Sequence, residues 1–524
     1  MSLRQTLLAA LGSGALLLAP AAWAADARVA VLTETTSLDP MYHNVAYNMA
    51  YSRNVFDTLI AQDDRQRLQP SLAVSWTPVE PTLWEIKLRP GVLFSDGSPF
   101  TADDAVFSFE RAPRVPNSPS SFAMYTKSIG TMTVVDPLTL QIRTNGPAPL
   151  LPNDLSVLPI VSRRAAEGKT TAQFDDTSAA IGTGPYRYVR WDRGAVVIMA
   201  RNDHYWGGRP PWDHVAIRPI SNGASRVAAL LSGDVDMIEA VPSDTVAQLT
   251  EDARVHLFSA DSNRMIFISL DSARDQSPGV TDTAGRPLDR NPLRDRRVRE
   301  AISVAINRDA LTARLLNGQA KPAGQLLPPG FFGTSDRLPP PKFDPARARQ
   351  LLLEAGYANG FGLTLVATND RYPKDVEVAQ AVAQMLTRIG LVVRVETMPA
   401  SMAFTRGSKL EFSAMVLGWI AASGEATSPM VALLATFDAA TGFGPSNRGR
   451  YSNPIFDRLL DEALHTLDEA KRAALLAQAT EIAMDDVGLV PLHFLVNTWA
   501  TRNGFAYDAR SDELTMVAGL TPAP

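Results

Sequence analysis

The chain has no cysteine among its 524 residues. That excludes a disulfide framework, a thiolate metal site and a membrane tether through an acylated cysteine. Histidine is scarce as well. The six histidines are followed by Asn, Tyr, Val, Leu, Thr and Phe, so no His-Glu-x-x-His pattern exists. His204 and His214 stand ten apart across a Pro-Pro turn, a spacing with no metal-ligand specificity. No Gly-x-Ser-x-Gly elbow occurs beyond residue 24. Serine, histidine and acids are present, but nothing marks a triad. Glu167-Gly168-Lys169-Thr170 ends like a phosphate-binding loop, yet Arg163 stands where the first glycine must be. No run of Lys or Arg is found, and the net charge is −5, which argues against nucleic acid as a partner. These absences leave no catalytic residue, no metal ligand and no cofactor to expect.

One apolar run stands out, Leu7 to Leu18, preceded by Arg4 and followed by Ala22-Trp23-Ala24. Too short to span a bilayer comfortably and followed by a small-x-small site, residues 1–24 are predicted to be a cleaved export signal, with a retained anchor as the alternative. The mature chain would begin near Ala25 with a charge of 49 − 55 = −6, after loss of Arg4. An exported chain without a lipid anchor is expected, soluble, in a Gram-negative periplasm. Its length, with 45% hydrophobic residues, allows three or four domains or fewer large ones. The 38 prolines fall between periodic segments and act as loop punctuation.

No short repeat is present. RVAVLT (28–33) is predicted as a strand and 44–59 as a helix, with Val45, Met49, Val55 and Phe56 near one side. A β-rich stretch follows, with a strand at LWEIKL (83–88) and a hairpin over 131–144 turning at Asp136-Pro137. Between them, Thr101 to Asp104 forms a capping box. The second half changes character. Strand 363–368, helix 374–389 and strand 391–397 make a βαβ unit, hence a parallel sheet. Asp344 and Pro345 open a helix that Gly356 closes. Two amphipathic helices, starting at Pro454 and Asp468, lead to a final strand over 489–500.

One stretch, SAMVLGWIAASGEATSPM (413–430), holds a single charge, Glu425. EFSAMVLGWI (411–420) fits a buried strand, and Ser428-Pro429 the start of a helix through Leu434. Glu425 then lies in the loop at the carboxyl end of a sheet strand, the edge where ligands of open α/β sheets usually bind. The helix N-terminus would help to keep it ionised.

Seven segments together resemble the family 5 extracellular solute-binding proteins of ABC importers, the dipeptide, oligopeptide and nickel-binding group. They are 56–76, 88–111, 182–191, 201–220, 230–242, 293–309 and 344–357. The resemblance implies an α/β, periplasmic binding protein-like fold of the cluster C, pear-shaped type. Two α/β lobes joined by two crossing segments would close over a ligand like a hinge, with an extra β-rich domain. Mapped here, lobe I combines 25–58, 178–268 and 490–524; the β-rich insertion is 59–177; lobe II is 269–489.

Peptide-binding members of that family commonly carry Gly-Asp-Pro after the buried strand, with the aspartate gripping the peptide ammonium. Gly424, Glu425 and Ala426 match those positions, so the charge is kept while the proline is gone. The bland reading of Glu425 is a solvated or helix-capping carboxylate. Trp419 is either a ligand wall or core. Tyr42 and His43, in the loop after the first strand, are cleft candidates or a structural turn. Arg371 (beside Tyr372) and Arg448 compete to receive a ligand carboxylate, or are solvated surface. Tyr205 and Trp206, with the glycines of GTGPY (182–186) and HYWGG (204–208), read as architecture rather than chemistry.

The expected function is therefore that of a periplasmic substrate-binding protein of an ABC importer, not an enzyme. It would capture a small peptide or related amine-bearing solute and deliver it to a membrane permease and its ATPase. The protein is expected to be a monomer with no nucleic acid partner. A receptor for a metal chelate, haem, opine or sugar is the alternative on the same scaffold, and a periplasmic hydrolase a further one.

Overall fold

The computed structural model describes residues 26–523, so the segment read as an export signal lies outside the described residues. Most strands belong to one curled, twelve-stranded mixed sheet. Its two longest strands, Val255–Leu270 and Val490–Arg502, run antiparallel through the middle. On one side lie Met237–Ile238, Asp26–Val31 and then His214–Pro219, which pairs in parallel with Asp26–Val31. On the other side lie Ala414–Trp419 and Gly362–Thr368. The two long strands are thus the crossing segments of a bilobal α/β fold. Their ladder breaks between Asp261 and Met265, and Ser262 to Arg264 turn their polar groups to other partners at that point.

The second lobe explains why its strands are apolar throughout. Along Val255–Leu270, Ile266 and Ile268 pack into one core cluster while Met265 and Phe267 pack into another. Along Ala414–Trp419 the same division separates Ala414 and Val416 from Met415 and Leu417. Helices cover both faces, so neither face can be polar. The βαβ unit is present: Gly362–Thr368, the helix Asp375–Thr387, and Val392–Met398 pairing in parallel with the first strand. Asp344 caps Pro345–Glu354 by accepting from the Arg347 amide, and Gly356 (φ 88°) follows. Helices Pro454–Leu464 and Glu469–Asp485 pair before the last long strand.

A separate four-stranded antiparallel sheet carries the β-rich stretch. Leu83–Leu88 and the hairpin Ile129–Asp136 with Thr139–Thr144 lie in it, turning at Pro137-Leu138. Thr101 and Asp104 form the capping box of Ala102–Arg111.

The helix expected over 44–59 is shorter, Ala46–Ser52. Beyond Ser52 the carbonyls accept from elsewhere: Asn54 from the Tyr186 amide, Val55 from Gly184 and Asp57 from Ile160. Tertiary pairing overrides the local helical pattern. The contact also explains GTGPY, because a Cβ at Gly182 would sit 2.0 Å from the Val55 carbonyl oxygen. Trp206 donates to Asp57 at 2.8 Å, a packing role as expected.

Candidate functional site

A cavity of about 1170 Å³ opens between the lobes where the long strands cross. It exceeds the roughly 300–1,000 Å³ of ordinary small-molecule sites. Its apolar wall is aromatic, with Tyr47, Tyr51 and Tyr125 from the first half of the chain facing Tyr372, Trp419 and Phe443 from the second. Such rings offer flat apolar area with a polar rim. The Tyr51 hydroxyl has no hydrogen-bond partner among the described residues, and burial raises its pKa.

The sequence candidates divide. Trp419 and Arg371 line the cavity. Trp419 donates to Ser428 Oγ at 3.3 Å, and the Arg371 guanidinium, on an exposed residue, lies 5.7 Å from the Tyr372 ring centroid. Tyr42 and His43 are not on the wall, although their successors Asn44 and Val45 are. The Tyr42 carbonyl accepts from Ser118, and His43 meets Thr36 and the edge of Tyr47. Arg448 also lies off the wall, its guanidinium 5.6 Å from the Phe404 ring, and burial lowers its pKa.

Glu425 requires a correction. It is 2% exposed and off the cavity wall, although Ser423 and Thr427 on either side contribute to that wall. Its Oε2 accepts from Arg472 Nη1 at 2.8 Å, and the same guanidinium stacks 4.2 Å from the centre of Phe332. The charge is matched within the protein by a helix that sequence reasoning did not connect to it. The observed contact of this carboxylate is thus with Arg472 rather than with the cavity wall. The expected helix start shifts too: Ala426, not Ser428, precedes the turn Thr427–Pro429, which a wider turn, Met430–Leu434, continues.

The loop around Glu425 is held from across the cleft. Gln66 donates to the carbonyls of Ala421 and Ala422, Gln62 to Ala422, Asn263 to Ala421, and Asn153 to Ser423. Gly424, off the wall and at φ 72°, sits so close that a Cβ would lie 2.7 Å from Gln66 Cβ.

Among the charged groups of the wall, most have partners. Arg264 forks onto Glu513, with both contacts at 2.6 Å. Arg510 holds Asp512, the Ala400 amide binds Asp370, and Glu239 accepts from the Leu32 amide and Thr515. Arg226 donates to four backbone carbonyls. Two groups differ. The side chain of Asp154, on the short helix Leu151–Leu155, has no hydrogen bond or ion pair among the described residues, and burial together with the nearby Glu425 charge raises its pKa well above the carboxylate range. The Arg53 guanidinium makes one hydrogen bond among the described residues, to the Ser156 carbonyl at 2.7 Å, and burial lowers its pKa to about 10. Sequence reasoning missed both. For Asp154 the signal exists: it is the one charged residue between Arg143 and Arg163.

Residues 67–441 match the bacterial extracellular solute-binding proteins, family 5 Middle. The chain belongs to this family. It is 30% identical over 499 residues to the glutathione-binding protein GsiB of Escherichia coli K12, covering 93% of this chain and 92% of that one. HbpA2 from Haemophilus parasuis shares the fold with a TM-score of 0.81 at 22% identity, covering 95% and 100% of the two chains. The periplasmic binding protein DppA from Helicobacter pylori, solved with the peptide STSA, has a TM-score of 0.75 at 24% identity, covering 95% and 98%. Family 5 members are binding proteins, and among the described residues no helix is long and apolar enough to cross a membrane.

Proposed function

We propose that this family 5 protein is the periplasmic receptor of an ABC importer and that its cargo is a short peptide or a related amine-bearing solute. The observation that carries the reading is the interlobe cavity itself, aromatic-walled and holding a carboxylate that no protein group neutralises. Relatives named for glutathione and a neighbour solved with a tetrapeptide support a ligand of that size.

In this reading residues 1–24 export the chain, which works as a monomer without chemistry of its own. Lobe I (25–58, 178–268 and 490–524, with the 59–177 insertion) and lobe II (269–489) swing about the two long strands. Ligand favours closure because it contacts both lobes only in the closed state. The closed form then docks on the permease, whose ATPase drives transport. Trp419 and Arg371 serve as cavity contacts from lobe II, whereas Glu425, Gly424, Tyr42, His43 and Arg448 support the walls.

Thermal denaturation with glutathione, dipeptides, tripeptides, nickel–histidine, haem, an opine and a sugar tests this. A true ligand at about 100 times its Kd adds about 2.7 kcal/mol. Stabilisation by peptides, recovered intact afterwards, is the expected result. Stabilisation only by a chelate, haem, opine or sugar, or hydrolysis of the peptide, would overturn it.

A further inference from the structure

The wall of the cavity contributed by the first lobe and its insertion presents one acid and one base that the protein leaves open. The part-buried Asp154 side chain lines the cavity and accepts from no donor among the described residues. Arg53 uses one guanidinium donor, on Ser156, out of the five such a group carries. Ser156 is two residues beyond Asp154, so both groups are held by one short piece of chain. They do not pair with each other, although Tyr125 lies within electrostatic reach of both. Burial and the nearby Glu425 charge favour the proton on Asp154 while the wall is empty; a solute ammonium favours its ionised form, and a solute carboxylate likewise offsets the desolvation of the Arg53 guanidinium.

We infer that this wall is a zwitterion reader: the ammonium group of the solute docks on Asp154 and a carboxylate of the same solute docks on Arg53. This rests on the peptide reading above and assigns the two ends that Glu425 and Arg371 were expected to hold. Arg53 is better placed than Arg371, because a desolvated guanidinium with unused donors offers a bidentate fork, whereas Arg371 is exposed.

The test is calorimetric titration of the full exported protein, freed of endogenous solute by unfolding and refolding. The ligands are glutathione and tri-alanine, each free, N-acetylated and C-amidated. In the unmodified protein, each blocking group should weaken binding at least ~30-fold, the lower range for removing one partner of a buried charge pair. D154N should erase most of the difference between free and acetylated peptide, and R53Q most of that between free and amidated peptide. R371Q should preserve both differences. Equal binding of free and blocked peptides overturns the inference while leaving the peptide reading intact. So does discrimination that survives in D154N and R53Q, or that disappears in E425Q and R371Q instead. Failure of every peptide to bind, with nickel–histidine or a sugar binding instead, overturns both. Should D154N or R53Q not refold, D154E and R53K take their place, and discrimination for the matching end that stays as in the unmodified protein overturns the inference.

Discussion

Replacing Glu425 by Gln distinguishes a ligand-gripping acid from a structural one. The Glu425–Arg472 pair is buried, with side-chain exposures of 2% and 7%. Removing one member of such a pair strands the other charge and typically costs ~3–5 kcal/mol. Here the pair is incompletely satisfied, because Glu425 Oε1 and Arg472 Nε lack partners. The lower end, about 3 kcal/mol, is therefore expected for E425Q and for R472M. With an unfolding entropy of about 2.1 cal/mol/K per residue, that is a Tm loss of about 3 °C if roughly 500 residues unfold together, and about 6 °C if a lobe of roughly 220 unfolds alone. A double E425L/R472M variant, which removes both charges, should regain most of the loss, since apolar replacement of a buried pair is often neutral or better. Scanning calorimetry measures the stability, and titration with tri-alanine the binding. Peptide affinity should change less than threefold in all three variants. An E425Q protein that keeps its Tm while losing peptide affinity ~30-fold or more would show that the carboxylate faces the solute rather than Arg472.

Three further outcomes are expected. Gly182→Ala places a methyl group against the Val55 carbonyl, a backbone atom that cannot swing aside; a loss of about 3 kcal/mol or more, read by urea denaturation, is expected. His493 is fully buried, and desolvation lowers its pKa from 6.5 to about 3. A depressed folded-state value means that the unfolded chain binds the proton first, so this contribution is complete above about pH 6.5 and declines as pH falls toward 3. Between pH 7 and pH 5 it amounts to about 2 kcal/mol, and H493L should flatten the pH slope of the urea midpoint by that amount. Asn153→Ala removes the donor to the Ser423 carbonyl that ties the helix Leu151–Leu155 to the loop after Ala414–Trp419. With the loss of a buried hydrogen bond worth about 1–3 kcal/mol, the unliganded protein should show a larger radius of gyration by X-ray scattering.

What could be read from the chain depended on how far each signal reached. Caps, turns and periodicity act within a few residues, and the capping box at Thr101, the Asp344 cap and the βαβ unit stand where local chemistry put them, while the hairpin turn expected at Asp136-Pro137 falls one residue later, at Pro137-Leu138. The helix from Ala46 ends early because its later carbonyls are taken by residues more than a hundred positions away. Glu425 shows the same limit for charge. A lone acid in an uncharged stretch signals that something must neutralise it, but not whether the partner is a solute or an arginine 47 residues later. Asp154 carries the same signal between Arg143 and Arg163. There the helix Glu469–Asp485 supplies no arginine, no cation or donor among the described residues comes to the carboxylate, and the cavity does. Sequence narrowed the question to isolated charges in apolar surroundings. Only the three-dimensional arrangement separates a charge the protein has already answered from one left for a ligand.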